Sequence, residues 1–151
     1  MYLCFERIMT APDQRLIWLL ARAQRRVMAQ GDASLAKLGL TATQAGALFC
    51  IRAEDGITVG ELAEQLDLAQ SAASGLAQRL QNAGLVVRAP NPKDGRSVRL
   101  VLTRSGRKRR EEAIRIAQAG NVALSSGFTE AEISIIARWL ARIGTATEID
   151  K

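Results

Sequence analysis

Histidine is absent from the 151 residues, cysteine occurs twice (Cys4 and Cys50) and proline three times. With no histidine and two cysteines the usual zinc ligand sets cannot be assembled, and two thiols do not make a disulfide framework. Neither a structural metal nor a cofactor is expected. The same absence removes the commonest general base. Nor is there a glycine-rich phosphate loop, a framed pair of carboxylates or a Ser-x-x-Lys arrangement in a credible context. An enzyme is therefore the least supported class. No apolar run approaches the roughly 18 residues that span a bilayer, and the N-terminus lacks the basic-then-apolar order of a secretion signal. A cytoplasmic protein without membrane contact is expected.

What is present is a composition that buries a core without staples: 48% apolar and 24% charged residues, enough for one domain with extensions. Residues 1–12 fit no helix or strand pattern and are expected to form an arm, with Met9 an alternative start. The net charge is +6, but its placement is uneven. Between Ala69 and Arg110 lie ten basic residues against the single acid Asp94, a surplus larger than that of the whole chain, so the remainder is net acidic. A segment more positive than its protein is the footprint of a polyanion site; the competing reading is a solvated face.

Helical periodicity runs from Asp13 to Gln30, with Leu16, Leu19, Leu20, Ala23 and Val27 on one stripe, and is expected to end near Gly31-Asp32. Thr41-Ala42-Thr43-Gln44 has capping-box spacing and opens a helix expected over Thr43 to Glu54. That helix is apolar nearly all round (Ala45, Ala47, Leu48, Phe49, Cys50, Ile51) and ends at Gly56. A second box, Thr58-Val59-Gly60-Glu61, starts a helix carrying Leu62, Ala63 and Leu66. After a turn at Asp67-Leu68-Ala69, another helix runs from Gln70 to Ala83, which is helix-turn-helix spacing. In it Ala72, Leu76, Leu80 and Ala83 form the expected buried stripe, turning Gln70, Ser71, Ser74, Gln78 and Arg79 outward. Short hydroxyl and amide side chains let a helix approach base edges. Glutamine bonds adenine in a bidentate way, and arginine suits a phosphate or guanine.

Residues 84–103 follow as two runs of period two joined by Pro90-Asn91-Pro92-Lys93-Asp94-Gly95-Arg96-Ser97, a basic loop by its turn chemistry. A ribbon with a basic tip behind a helix pair is what a winged helix presents to a duplex; alone, it reads equally as a surface hairpin. Thr103 can cap a long helix in which Gly106 and Gly120 are weak points. A third capping box, Thr129-Glu130-Ala131-Glu132, opens a last helix with a wide apolar face of Ile133, Ile136, Ala137, Leu140 and Ile143. Wrapping the core or burying that face against a second copy both account for it.

Leu66-Asp67-Leu68, then Arg79-Leu80-Gln81-Asn82-Ala83-Gly84-Leu85-Val86-Val87-Arg88, the loop through Arg96, and Val101-Leu102-Thr103 with Gly106 resemble the MarR/SlyA family of bacterial transcription regulators. The resemblance covers Asp13 to Gly144, its narrowest element being the Asp94-Gly95-Arg96 tip. It implies a mainly α fold with a small β ribbon: a winged helix-turn-helix over 34–102, flanked by dimerisation helices over 13–33 and 103–151. It further implies a homodimeric repressor reading pseudo-palindromic double-stranded DNA, with Gln70 to Arg79 in the major groove. Arg96, held by an ion pair with Asp94, would enter the minor groove, while Arg88, Lys93 and Arg99 would serve phosphates. A narrow minor groove concentrates negative potential, which suits a braced guanidinium. Gly75 departs from the family pattern, where a larger, sometimes basic, residue is common.

By the same resemblance a small aromatic or phenolic effector would bind between the dimer helices and the winged region, near Arg15, Trp18 and Arg22; packing at the dimer is the competing role for Trp18. A thiol-sensing branch of the family suggests redox control, but Cys4 lies ahead of the first helix and Cys50 sits in an apolar run, where thiols are usually inert. The serious non-DNA alternative is a winged-helix protein-interaction module.

Overall fold

The computed structural model describes residues 15–91 and 94–145, and at 94–96 and 145 the backbone alone. The proposed N-terminal arm and Cys4 lie outside the described residues. In chain order the elements are α1 (Leu16–Leu35), a short 3-10 turn (Ala36–Leu38), α2 (Ala42–Cys50), β1 (Ile57–Thr58), α3 (Val59–Gln65), α4 (Gln70–Asn82), β2 (Val86–Asn91), β3 (Asp94–Leu102), α5 (Arg104–Ser125) and α6 (Glu130–Thr145). The sheet is antiparallel in the order β1-β3-β2. This is a winged helix: three helices and a short strand lead into a two-stranded ribbon. The described chain divides into two compact units, one ending at Ile116 and the other beginning at Ala117.

The first unit is built around apolar side chains, mostly leucines and isoleucines, from its helices and strands. Leu48, Ile51, Ile57, Leu62, Leu76, Leu80, Val86 and Leu100 are all but inaccessible to solvent, and Ala113 of α5 joins them. Burial of this kind contributes about 25 cal/mol per Å² of apolar surface. Two capping boxes set where helices begin: Thr41 accepts from the Gln44 N–H and Gln44 returns the bond at 2.9 Å, while Thr58 and Glu61 do the same at the start of α3. Each leaves the helix N-terminus satisfied, a contribution of about 1 kcal/mol.

Three boundaries differ from the sequence reading. Helix α1 runs through Gly31 and Asp32 to Leu35. There Asp32 Oδ1 accepts from the Ala42 N–H at 2.6 Å, and a Cβ on Gly31 would stand 3.3 Å from the Ala42 Cβ, so the glycine admits α2 rather than stopping α1. Helix α2 stops at Cys50 instead of Glu54. Arg52 pairs with Gly56, whose φ of 68° and close approach to the Leu100 carbonyl exclude any side chain. In α4 the buried stripe is Ala73, Leu76, Ala77 and Leu80, with Ala72 and Ala83 exposed. Leu76 and Leu80 thus keep the expected inward face, while Ala73 and Ala77 take the places expected for Ala72 and Ala83.

In the second unit, Thr129 and Glu132 form the third capping box: the Thr129 N–H donates to Glu132 at 2.8 Å and the Glu132 N–H donates to the Thr129 hydroxyl at 3.3 Å. Val122, Leu124, Phe128, Ile135, Ile136, Trp139 and Leu140 are exposed, so the apolar face of this unit is not consumed by its own packing.

Candidate nucleic-acid interface

Helix α4 separates its residues cleanly. While Ala73, Leu76, Ala77 and Leu80 go inward, Gln70, Ser71, Ser74, Gln78 and Arg79 are all exposed. The two sets alternate in steps of three and four, so one helix presents a continuous polar face along its length. No acidic residue occurs between Asp67 and Asp94 to repel a polyanion. The turn leading in is tight: Asp67 takes a positive φ of 49°, and its N–H donates to the Glu64 carbonyl.

Two contacts order the C-terminal half of this face. Gln78 Nε2 donates to Asn82 Oδ1 at 2.9 Å, and Arg88 on β2 donates through Nε to Gln81 Oε1 at 3.1 Å. The second contact ties the ribbon's first strand to α4 and holds an exposed guanidinium beside the helix. Residues Lys93, Asp94 and Arg96 form the basic tip by sequence. Lys93 and the proposed Asp94–Arg96 side-chain pairing lie outside what is described, although β3 itself begins at Asp94.

Arg99 requires a correction. The sequence reading gave it a phosphate, but only 5% of its side chain is exposed. Paired with Thr58, it lies on the sheet face opposite Leu100. There Nη2 donates to the Gly56 carbonyl at 3.0 Å and to Glu61 Oε2 at 3.2 Å, with Asp55 at 3.8 Å. Arg52 completes the group, meeting Asp55 at 2.8 Å and Glu61 at 3.6 Å. A buried charge needs such partners, and one so engaged is not available to DNA. The sequence reading missed this network. The Glu61 carboxyl is held below its ordinary range by the Thr58 N–H first, then by the Thr58 hydroxyl, Arg99 and Arg52.

On α1, Trp18 is half-buried and the Arg22 guanidinium lies 5.1 Å from the centre of its ring, a cation–π distance. Arg15 is also partly buried, with an Nε shielded from solvent. Leu16, Ile17, Leu19, Leu20, Val27 and Met28 are exposed along the same helix. Cys50 is half-buried, and burial pushes its thiol up, away from the thiolate that peroxide chemistry uses. Among the described residues no cluster of three or more acidic or cysteine side chains is placed to hold a metal ion, and no helix is long and apolar enough to cross a membrane.

Comparison with known proteins agrees with the winged-helix fold. The model of the MarR family matches residues 38–97. The HTH-type transcriptional repressor MdtR of Bacillus subtilis is 31% identical over 118 residues, covering 78% of this chain and 76% of the relative. Among solved structures, the transcriptional repressor CouR bound to a 23-mer DNA duplex superposes with a TM-score of 0.77 at 28% identity, over 87% of this chain and 94% of that one. Bordetella bronchiseptica BpsR, whose DNA binding is regulated by 6-hydroxynicotinic acid, superposes with a TM-score of 0.79 at 25% identity, over 90% and 97%.

Proposed function

The chain belongs to the MarR family of transcriptional regulators, and from that premise we propose that it is a sequence-preferring repressor of the cytoplasm that binds double-stranded DNA as a homodimer. The observation that carries this reading is the polar face of α4, where Gln70, Ser71, Ser74, Gln78 and Arg79 are exposed together above a fully buried apolar stripe. In this reading those five side chains face the major groove. Arg88 and Lys93 neutralise phosphates, and Arg96 enters the minor groove beside Asp94. That CouR is bound to a 23-mer DNA duplex supports duplex DNA as the partner.

The homodimer is supported by the exposed apolar side chains at both ends of the chain, on α1 and on α6, which a monomer would leave in water. The dimerisation region then comprises 13–33 and 103–151, and the winged region 34–102. Two recognition helices spaced by one turn of DNA or a multiple read a pseudo-palindrome. The effector in this reading is a small aromatic or phenolic molecule near Arg15, Trp18 and Arg22. The regulation of BpsR by 6-hydroxynicotinic acid supports that class of ligand.

The test is a salt titration of duplex binding, with DNA from upstream of this gene and random DNA, for wild type and Arg96→Ala, on protein whose mass in solution has been measured. Tight, salt-sensitive binding that prefers one sequence and is weakened by Arg96→Ala is the expected result. A verified dimer that binds no duplex at low salt, with and without dialysis to strip a bound ligand, overturns the reading in favour of a protein-interaction module.

A further inference from the structure

Ser71, Gly75 and Arg79 lie four residues apart and form one row along the outward face of α4. Two members of that row are small. The third is an arginine whose side chain leans toward the helix N-terminus, as helical side chains do: a Cβ built on Gly75 would stand 3.5 Å from Arg79 Nη1. The guanidinium therefore rests over the turn that contains Gly75, about 6 Å N-terminal along the axis from the level of its own Cα. It is exposed, and it makes no hydrogen bond or ion pair among the described residues. Arg88, also exposed, is placed differently: it stands on β2 and is tied to Gln81.

We propose that Arg79 is the guanine-reading residue of the recognition helix, and that Gly75 makes this possible by leaving the middle of the row free for its guanidinium. The inference rests on the reading of α4 as the major-groove helix. The N-terminal residues of such a helix meet base edges, so a guanidinium carried one turn toward that end comes nearer to them, whereas contacts to phosphates only position the helix. A guanidinium presents two parallel N–H donors that match O6 and N7 of guanine, a pairing that a lysine ammonium does not reproduce. A bulky side chain at 75 would occupy the same space and push the guanidinium off the row. Alanine would not, because 3.5 Å is an ordinary van der Waals separation. The glycine, at a position where the family commonly carries a larger residue, thus hands its place in the groove to a residue one turn later.

The experiment is selection from a randomised duplex library with wild type, Arg79→Ala, Arg79→Lys, Gly75→Ala and Gly75→Leu, followed by affinities and salt slopes on the selected duplexes. Melting curves check that each variant is folded; leucine and alanine both favour helix over glycine. Wild type is expected to select a motif with guanine at one fixed place in each half-site. Arg79→Ala and Arg79→Lys should lose that preference by roughly tenfold or more and keep the rest of the motif. Gly75→Leu should lose the same position, and Gly75→Ala should keep it. If Arg79→Ala selects the wild-type motif and weakens all duplexes alike, with a salt slope smaller by about one, Arg79 is a phosphate contact and the proposal fails. If Gly75→Leu keeps the guanine, the role given to Gly75 fails. A folded wild type that enriches no motif overturns the DNA-reading function itself, a different result from either.

Discussion

Arg99 on β3 and Glu61 on α3 meet at 3.2 Å, and the arginine is buried while the glutamate is not. The asymmetry determines which substitution hurts. Glu61→Ala leaves a buried guanidinium short of an acceptor and also opens the capping box at Thr58, so a loss of about 2–3 kcal/mol is expected. Arg99→Met removes the buried charge, keeps most of the volume and leaves Glu61 hydrated, so the loss should stay within about 1.5 kcal/mol. Urea midpoints of the two variants check the order, and a larger loss for Arg99→Met would contradict it.

The same burial makes a statement about DNA. Arg99→Met should leave the salt dependence of duplex binding unchanged, while Arg88→Ala should lower the slope of log affinity against log salt by about one. A lower slope for Arg99→Met would return Arg99 to the surface that touches phosphate.

Stability should fall on the acid side for a definite reason. Glu61 is held below its ordinary value of 4.5 by the Thr58 N–H above all, and Glu132 is lowered likewise by Thr129. A carboxylate with a depressed folded-state pKa adds stability at pH above its unfolded value, and that contribution is lost as pH falls through the folded value. Melting temperatures between about pH 7 and about pH 3 should therefore drop for wild type below pH 4.5. Glu61→Gln should show a smaller change over the same window, and curves of equal steepness would rule out Glu61 as a source of the drop.

Why some of this was legible in the sequence follows from the range of the interactions. The three capping boxes, at Thr41, Thr58 and Thr129, are contacts over three residues and appear where the spacing puts them. The exposed face of α4 was also legible, because Leu76 and Leu80 fix its inward side; whether Ala72 or Ala73 accompanies them could not be read, since adjacent alanines carry no polarity contrast. Strand alternation gave Arg99 a face but not what covers it, because its acceptors Glu61 and Gly56 are 38 and 43 residues away. The end of α2 was misplaced for a related reason. Arg52, Ala53 and Glu54 are adequate helix formers, and the bridge from Arg52 to Gly56 with its arginine–carboxylate group overrides that preference.

Gly106 and Gly120 looked alike as weak points in α5, and the structure separates them. A Cβ on Gly106 would run into the Leu85 carbonyl, the same oxygen that accepts the Thr103 N–H at 3.0 Å, while the Gly106 N–H donates to the Thr103 hydroxyl at 2.9 Å. Thr103 in turn donates to the Gly84 carbonyl at 2.7 Å, so the first turn of α5 is locked against the start of the ribbon by a contact only glycine permits. Gly120, with nothing within 4 Å of its built Cβ, carries only the helix penalty of glycine. Gly106→Ala should therefore cost about 1–3 kcal/mol by overpacking against backbone that cannot yield, and Gly120→Ala should add up to about 1 kcal/mol. Urea denaturation of both variants reads the two signs directly. A neutral Gly106→Ala would mean that α5 can shift away from Leu85, and with it that the ribbon is not held at its base as tightly as the Thr103 bonds imply.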